Sequence, residues 1–245
     1  MKIGIIGAGN IGGTIARTLS AADHVVKLAG SKGPEAISDL AQEIGAEAVA
    51  AKNAVNDVDA IVLSIPFIAI PNLASLFADV PRDVVVIDTS NYYPQRDGQI
   101  DEVEDGKPES VWASEQLGRP IVKAFNAILA QTLQGYGMPP GSAGRIAIPV
   151  AGDDQSAKTL AQQIVDATGF DPLDAGGLAA SWRFQPGTAA YCTGLSLPEL
   201  QQALAVADRI RAPQNRDSLI GEFMALDKPL THEFGIARNR AVTAS

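Results

Sequence analysis

The stretch Lys2-Ile3-Gly4-Ile5-Ile6-Gly7-Ala8-Gly9-Asn10-Ile11-Gly12 decides the fold class. Its first half is a short, unbroken apolar run closed by glycine, which suits a strand buried on both faces. Beyond Asn10, Ile11, Ile15, Leu19 and Ala22 recur on one helical stripe. The glycines at 7, 9 and 12 lie between these two patterns. Their spacing is common by chance, but a strand before it and an amphipathic helix after it, within about thirty residues, give it meaning. Gly7 permits the tight turn, Gly9 lets a diphosphate approach the backbone, and Gly12 lets helix and strand pack closely. The helix then presents free N–H groups and a positive dipole end to that anion. The expectation is an α/β fold of the Rossmann type, a doubly wound and mostly parallel sheet. Gly7, Ala8, Gly9, Asn10, Ile11 and Gly12 are its nucleotide-binding turn.

Working outward, apolar runs at 24–29, 59–65, 83–88, 121–125, 145–151 and 171–173 read as strands. Helical spacing separates them at 34–44, with Pro34 at the first helical position, and at 70–77, 111–117 and 154–168. Asp154 is placed to cap the last of these and Gly169 to end it. Strands alternating with helices predict right-handed crossovers. Residues 89–110 lack periodicity and carry Asp97, Asp101, Glu102, Glu104, Asp105 and Glu109, which reads as a solvated loop. After residue 176 the pattern changes. An irregular stretch at 178–197 is followed by helical patches at 198–211 and 216–226 and then a polar tail. The reading is a dinucleotide-binding unit at 1–176 and a small helical segment at 177–245 covering the substrate crevice. That segment falls short of the ~100 residues of an independent domain.

The end of the second strand reads Leu28-Ala29-Gly30-Ser31-Lys32. NAD-binding proteins usually place a carboxylate there, on the ribose hydroxyls. A hydroxyl and an ammonium instead attract a 2′-phosphate, so Ser31 and Lys32 point to NADP. Ser64-Ile65-Pro66-Phe67 ends another strand on the edge of the same crevice, where Pro66 stops the ladder for want of an N–H.

Composition narrows the class. The 245 residues are 46% hydrophobic with a formal net charge of −9 and no concentrated basic face, which argues against a nucleic-acid partner. No apolar run approaches the ~20 residues of a membrane span, and neither a membrane partner nor a signal peptide is expected. The single Cys192 forms no internal disulfide and fits a reducing cytoplasm. It reads as a small, inert core residue rather than a nucleophile. The two histidines, His24 and His232, lie away from the expected crevice and read as structural. No metal-ligand cluster and no catalytic acid–base side chain is expected.

With these positions in place, the chain resembles the NADP oxidoreductase family that uses the 8-hydroxy-5-deazaflavin coenzyme (F-420), and its bacterial NADPH-dependent reductase branch. The resemblance rests on the Gly7–Gly12 turn, Gly30-Ser31-Lys32-Gly33-Pro34-Glu35, Ser64-Ile65-Pro66, Val122-Lys123-Ala124-Phe125-Asn126, Pro149-Val150-Ala151-Gly152-Asp153-Asp154 and Asp174-Ala175-Gly176. Ser181-Trp182-Arg183, Gln185-Pro186-Gly187 and Tyr191-Cys192 resemble the bacterial members. The archaeal members carry histidine and proline where this chain has Asn126 and Leu129.

The resemblance implies hydride transfer between NADP(H) and a deazaflavin (F-420) or a flavin such as FMN, a small-molecule redox substrate. It adds Ile65 and Pro66 to the NADP contacts and places Asn126 and Ala130 at the border of nicotinamide and second substrate. It also implies a homodimer. Two alternatives stand beside it: NADPH-dependent reduction of another small molecule, and a non-enzymatic NADPH-sensing protein.

Overall fold

The computed structural model describes residues 1–244, so Ser245, the last residue of the expected 177–245 segment, lies outside the described residues. Six parallel strands form the central sheet: β1 (Lys2–Ile6), β2 (Val25–Ala29), β3 (Glu47–Ala48), β4 (Ala60–Leu63), β5 (Val85–Asp88) and β6 (Val122–Lys123). Their order is β3-β2-β1-β4-β5-β6. That is the doubly wound arrangement expected, with its reversal of strand order beside β1. Register does the positioning. Ile6 pairs with Ala29 of β2 and Leu63 of β4. The three strands therefore end together, and Gly7, Gly30 and Ser64 meet at one edge.

The helices in chain order are α1 (Asn10–Ala21), α2 (Ser38–Ile44), α3 (Ala51–Ala54), α4 (Pro94–Asp97), α5 (Asp101–Glu104), α6 (Glu109–Leu117), α7 (Ala130–Gly135), α8 (Gln155–Ala167), α9 (Leu197–Ala205), α10 (Ala212–Met224) and α11 (His232–Thr243). Ile15 and Leu19 of α1, with Ile164 and Val165 of α8, cover one face of the sheet with Ile3, Ile5, Val62 and Ile87. The other face buries Ile61, Leu63 and Val86 against Phe67, Trp112 and Leu117. Each such large apolar side chain contributes about 1.5–3 kcal/mol by leaving water.

Two further strands, β7 (Ala147–Val150) and β8 (Asp171–Asp174), form a separate parallel pair. A single antiparallel bridge from Lys123 to Ala151 joins this pair to the main sheet. A third apolar cluster, including Ala151, Leu173, Phe184, Ala190 and Leu200, packs the carboxyl-terminal segment onto it.

Several expectations need correction. The helix read from Pro34 begins as a 3-10 turn at Glu35–Ile37, and the segment read as a helix at 70–77 is a 3-10 helix, Phe67–Phe77, interrupted by Pro71. The stretch read as irregular contains a 3-10 helix, Leu178–Phe184. Residues 89–110 contain α4 and α5 rather than a continuous loop. Their acids explain why. Asp97 and Glu109 are buried and accept the backbone N–H groups of Tyr93 and Tyr92, so they organise the segment instead of solvating it.

The polar tail is α11, capped by Thr231. His232 stacks on Tyr136 with ring centroids 3.6 Å apart and bonds Thr132 at 2.7 Å, and Arg240 donates to the carbonyls of Thr193 and Gly194. Its side chains are polar because they clasp backbone and side-chain polar groups rather than a core. The helix read at 154–168 is present as α8. Asp154 accepts the N–H of Ala157 at 2.7 Å, and Asp154→Ala is expected to cost about 1 kcal/mol, read as a lower urea midpoint with an unchanged slope.

Candidate functional site

A cleft of about 610 Å³ lies at the carboxyl ends of β1, β2 and β4. Its lining includes Gly7, Ala8, Gly9, Ser31, Lys32, Ile65 and Pro66, together with Asn72 and Leu73. Seven of the site residues read from the sequence thus meet around one cavity. Asn10, Ile11 and Gly12 open α1 beside it without lining it. A Cβ on Gly7 would stand 2.0 Å from the Ser64 carbonyl oxygen, and one on Gly12 1.9 Å from the Gly7 carbonyl oxygen. Both positions must therefore be glycine for strand, turn and helix to close. Gly9 differs, because a Cβ there would meet nothing within 4 Å. Its missing side chain leaves a cradle over the turn, open to a ligand. Gly9 is also the N-cap of α1 and makes no side-chain cap bond, so the first N–H groups of this 12-residue helix are free to receive an anion.

Ser31 and Lys32 follow β2 on the far wall of the cleft. Both are exposed, and neither side chain has a partner among the described residues. No carboxylate lines the cleft. The residues present fit a dinucleotide with an additional phosphate.

Farther along the sheet edge, the ends of β5 and β6 carry a polar cluster of which the sequence reading placed only Asn126 at the site. Lys123 and Asp88 form a fully buried ion pair, 2.7 Å apart, and Lys123 also donates to the Ser90 carbonyl. Asn91 and Asn126 bond reciprocally: Asn91 Nδ2 donates to the Asn126 carbonyl at 2.9 Å, and Asn126 Nδ2 to Asn91 Oδ1 at 3.1 Å. Asn91 Nδ2 also reaches the Tyr191 hydroxyl, which lies 2.5 Å from the Tyr93 hydroxyl. Burial, followed by the neighbouring Cys192, pushes both tyrosines upward, and burial pushes Cys192 itself up to about 12. These shifts favour the protonated form of all three at neutral pH.

The chain bends sharply here. Phe125 and Cys192 hold φ values of 61° and 52°, a left-handed geometry that costs a side-chain-bearing residue on the order of 1–3 kcal/mol. The Cys192 N–H to Ala127 carbonyl bond ties the two bends together.

Asn126 is 2% exposed, with its amide nitrogen spent on Asn91 and on the Phe184 carbonyl and its Oδ1 without a partner. It therefore sits behind the crevice surface. Ala130, the first residue of α7, is half-buried, and neither it nor Asn126 lines the 610 Å³ cleft. Lys123 was missed because a lysine inside an apolar strand has no local pattern marking its partner. Asp88 lies 35 residues away. Glu109 was missed because it stands in an acidic run, where only tertiary packing shows which acid is buried.

The model of the family described as NADP oxidoreductase, coenzyme F420-dependent, matches residues 2–92. The protein YjhV of Escherichia coli (strain K12) is 37% identical over 105 residues, which cover 43% of this chain and 77% of that protein. The chain belongs to this NADP oxidoreductase family. Among solved structures, hypothetical protein SMa0349 from Sinorhizobium meliloti superposes with a TM-score of 0.65 at 29% identity, covering 76% of this chain and 89% of that one. A candidate F420-dependent NADP-reductase from Arthrobacter sp. FB24 superposes with a TM-score of 0.62 at 21% identity, covering 74% and 87%. The latter likeness is one of fold. No described helix is long and apolar enough to cross a membrane, and no group of metal-ligating side chains is found among the described residues.

Burial raises Glu109 from its ordinary 4.5 to about 7, against the Lys123 charge, the Tyr92 N–H bond and Arg216, which pull it down. Between these two values the unfolded chain has released the proton that the folded chain retains. Stability therefore falls as pH rises across that window. Urea midpoints at pH 5 and pH 8 are expected to differ less in Glu109→Gln than in the parent. Equal differences would show that Glu109 is ionised throughout.

Proposed function

We propose that this protein is an NADPH-dependent oxidoreductase passing a hydride between NADP(H) and a deazaflavin (F-420) or flavin-type acceptor such as FMN. The observation that carries the nucleotide choice is the pair Ser31 and Lys32. They are exposed and unpartnered on the same cleft as the glycine turn, in a wall without a carboxylate. A positive side chain and a hydroxyl there favour a 2′-phosphate. Gly7, Ala8, Gly9, Asn10, Ile11 and Gly12 would hold the diphosphate on the free amino end of α1. Ile65 and Pro66, at the end of β4, would flank the nicotinamide-bearing half. Asn126 and Ala130 would border the second substrate, Asn126 from behind, through Asn91.

NADP(H), when bound, supplies or accepts the hydride, so the chain's own task is alignment and exclusion of water. The polar side chains at the ends of β5 and β6 support this division. Lys123 is committed to Asp88 and Ser90, and Tyr93 and Tyr191 stay protonated against each other. Residues 1–176 would form the nucleotide-binding unit and 177–245 the cover of the crevice. A cytoplasmic homodimer is the form we infer.

The test combines purified protein with NADPH or NADH and with F-420 or FMN, following the absorbance of the reduced nicotinamide. Rapid loss only with NADPH and one of these acceptors is the expected outcome. NADPH binding without turnover on either would overturn the deazaflavin or flavin acceptor, and binding without turnover on any acceptor would favour the sensing role. A second measurement isolates the phosphate contact. Replacing Ser31 with Asp and Lys32 with Gly should weaken NADPH by about tenfold or more and NADH far less. Equal losses for the two nucleotides would remove Ser31 and Lys32 from the 2′-phosphate site.

A further inference from the structure

A second cleft, of about 170 Å³, shares no lining residue with the dinucleotide cleft. One wall is the segment from Val103 to Glu109, and the other comes from Trp182, Gln185 and Pro186 together with Arg209 and residues at the start of α10. Two of its charged side chains are more than nine-tenths buried, Glu109 at 3% exposure and Arg216 at 7%. They form no ion pair with each other, although the Arg216 charge acts on the Glu109 carboxyl.

Their remaining bonds leave one atom free on each. Glu109 Oε2 accepts the Tyr92 N–H at 3.1 Å, and Oε1 has no donor among the described residues. Arg216 gives Nε to Asp217 at 2.8 Å and Nη2 to Glu104 at 3.5 Å, and Nη1 has no acceptor among the described residues. Neither of these atoms is among the buried polar atoms that lack a partner, so each opens onto the cleft, where water satisfies it until a ligand with matching groups bridges the two in the water's place. The bridge needs an acceptor for Arg216 beside an N–H for Glu109.

The rest of the lining limits what that bridge can be. Lys107, Arg209 and Arg216 match Glu104, Asp105 and Glu109 in number, with Lys107 further paired to Glu102 and Glu115 and Arg216 to Asp217, so no anionic ligand is called for. Pro186 and Pro213 offer apolar walls beside Trp182, whose ring lies under the Arg209 guanidinium at 5.4 Å, and the volume suits a single ring rather than a nucleotide. We propose that this cleft binds a small, neutral, planar molecule through a lactam or ureide edge, its carbonyl accepting from Arg216 and its N–H donating to Glu109.

The site touches the rest of the molecule through Tyr92. Glu109 holds the Tyr92 backbone, Arg216 covers its ring at 5.4 Å, and Phe67, next to Pro66 of the dinucleotide cleft, packs on it at 5.7 Å. The ring could be the pyrimidine end of a flavin-type molecule or a separate small compound, and the proposal does not depend on the hydride acceptor.

Calorimetric titration of the full chain with uracil at pH 8, above the Glu109 value of about 7, tests it. One site is expected, weakened about tenfold or more in Glu109→Gln and abolished in Gln185→Trp, which fills the cleft. Both variants must melt as cooperatively as the parent. A repeat with FMN present separates the sources: displacement of uracil assigns the site to a flavin ring, and simultaneous binding to a separate molecule, the site standing in either case. No heat with uracil in the folded parent overturns the site, as does unchanged binding in both variants. Binding of glycine or serine but not uracil overturns the ligand class.

Discussion

The contact between Gly7 and the Ser64 carbonyl is the constraint on which the arrangement rests. A single added Cβ would place a carbon 2.0 Å from that oxygen, and the Gly12 position repeats the demand against Gly7 itself. The end of β1 must therefore lie directly against the end of β4 while the chain turns back into α1. That turn aims the amino end of α1 over the sheet edge, with its first N–H groups unspent. It also lays Ile15 and Leu19 onto Ile3 and Ile5. Close backbone packing, an apolar core face and a positive helix end thus arise from the same geometry. Parallel register then brings Ser31, Lys32, Ile65 and Pro66 to the cleft without any further device.

The other half of the sheet edge is built on a different principle. At the ends of β5 and β6 the interior is polar, and buried charge is tolerated because it is paired. Lys123 and Asp88 lie 2.7 Å apart with additional backbone partners, the condition under which a buried pair does not cost more in desolvation than it returns in attraction. The asparagine pair and the two tyrosines extend this framework towards the surface. The left-handed bends at Phe125 and Cys192 are held in place by it. Such strain persists only where the surroundings over-determine it, and the third apolar cluster with α11 supplies that restraint. The carboxyl-terminal segment is therefore part of the support of the strand-end region, not an appendage to it.

Chemically, the two regions divide the work. The cleft at the ends of β1, β2 and β4 offers backbone N–H groups, an exposed ammonium and an exposed hydroxyl, all suited to phosphate. The β5–β6 region offers fixed, protonated or committed groups, suited to holding shape. A framework of that kind fits a family whose members are oxidoreductases using a bound cofactor.

How much was legible in the sequence follows from the range of the interactions. The Gly7–Gly12 turn, the strand-helix alternation, the Asp154 cap and the Ser31-Lys32 end of β2 are local, written within a few residues, and they determined the fold class and much of the lining of the cleft at the ends of β1, β2 and β4. The 3-10 geometry of Phe67–Phe77 was not legible, because apolar spacing does not distinguish a 3-10 from an α-helix across Pro71. Residues 232–243 looked like a tail because α11 packs through His232, Arg240 and a close approach at Gly235 rather than through an apolar stripe. Only the tertiary structure decided which acids are buried, that Lys123 meets Asp88 across 35 residues, and that Glu109 and Arg216 face one cavity without pairing. The physical reason is the same in each case. A hydrogen bond or ion pair between distant segments is set by how the elements pack, and leaves no period or spacing in the chain to be read beforehand.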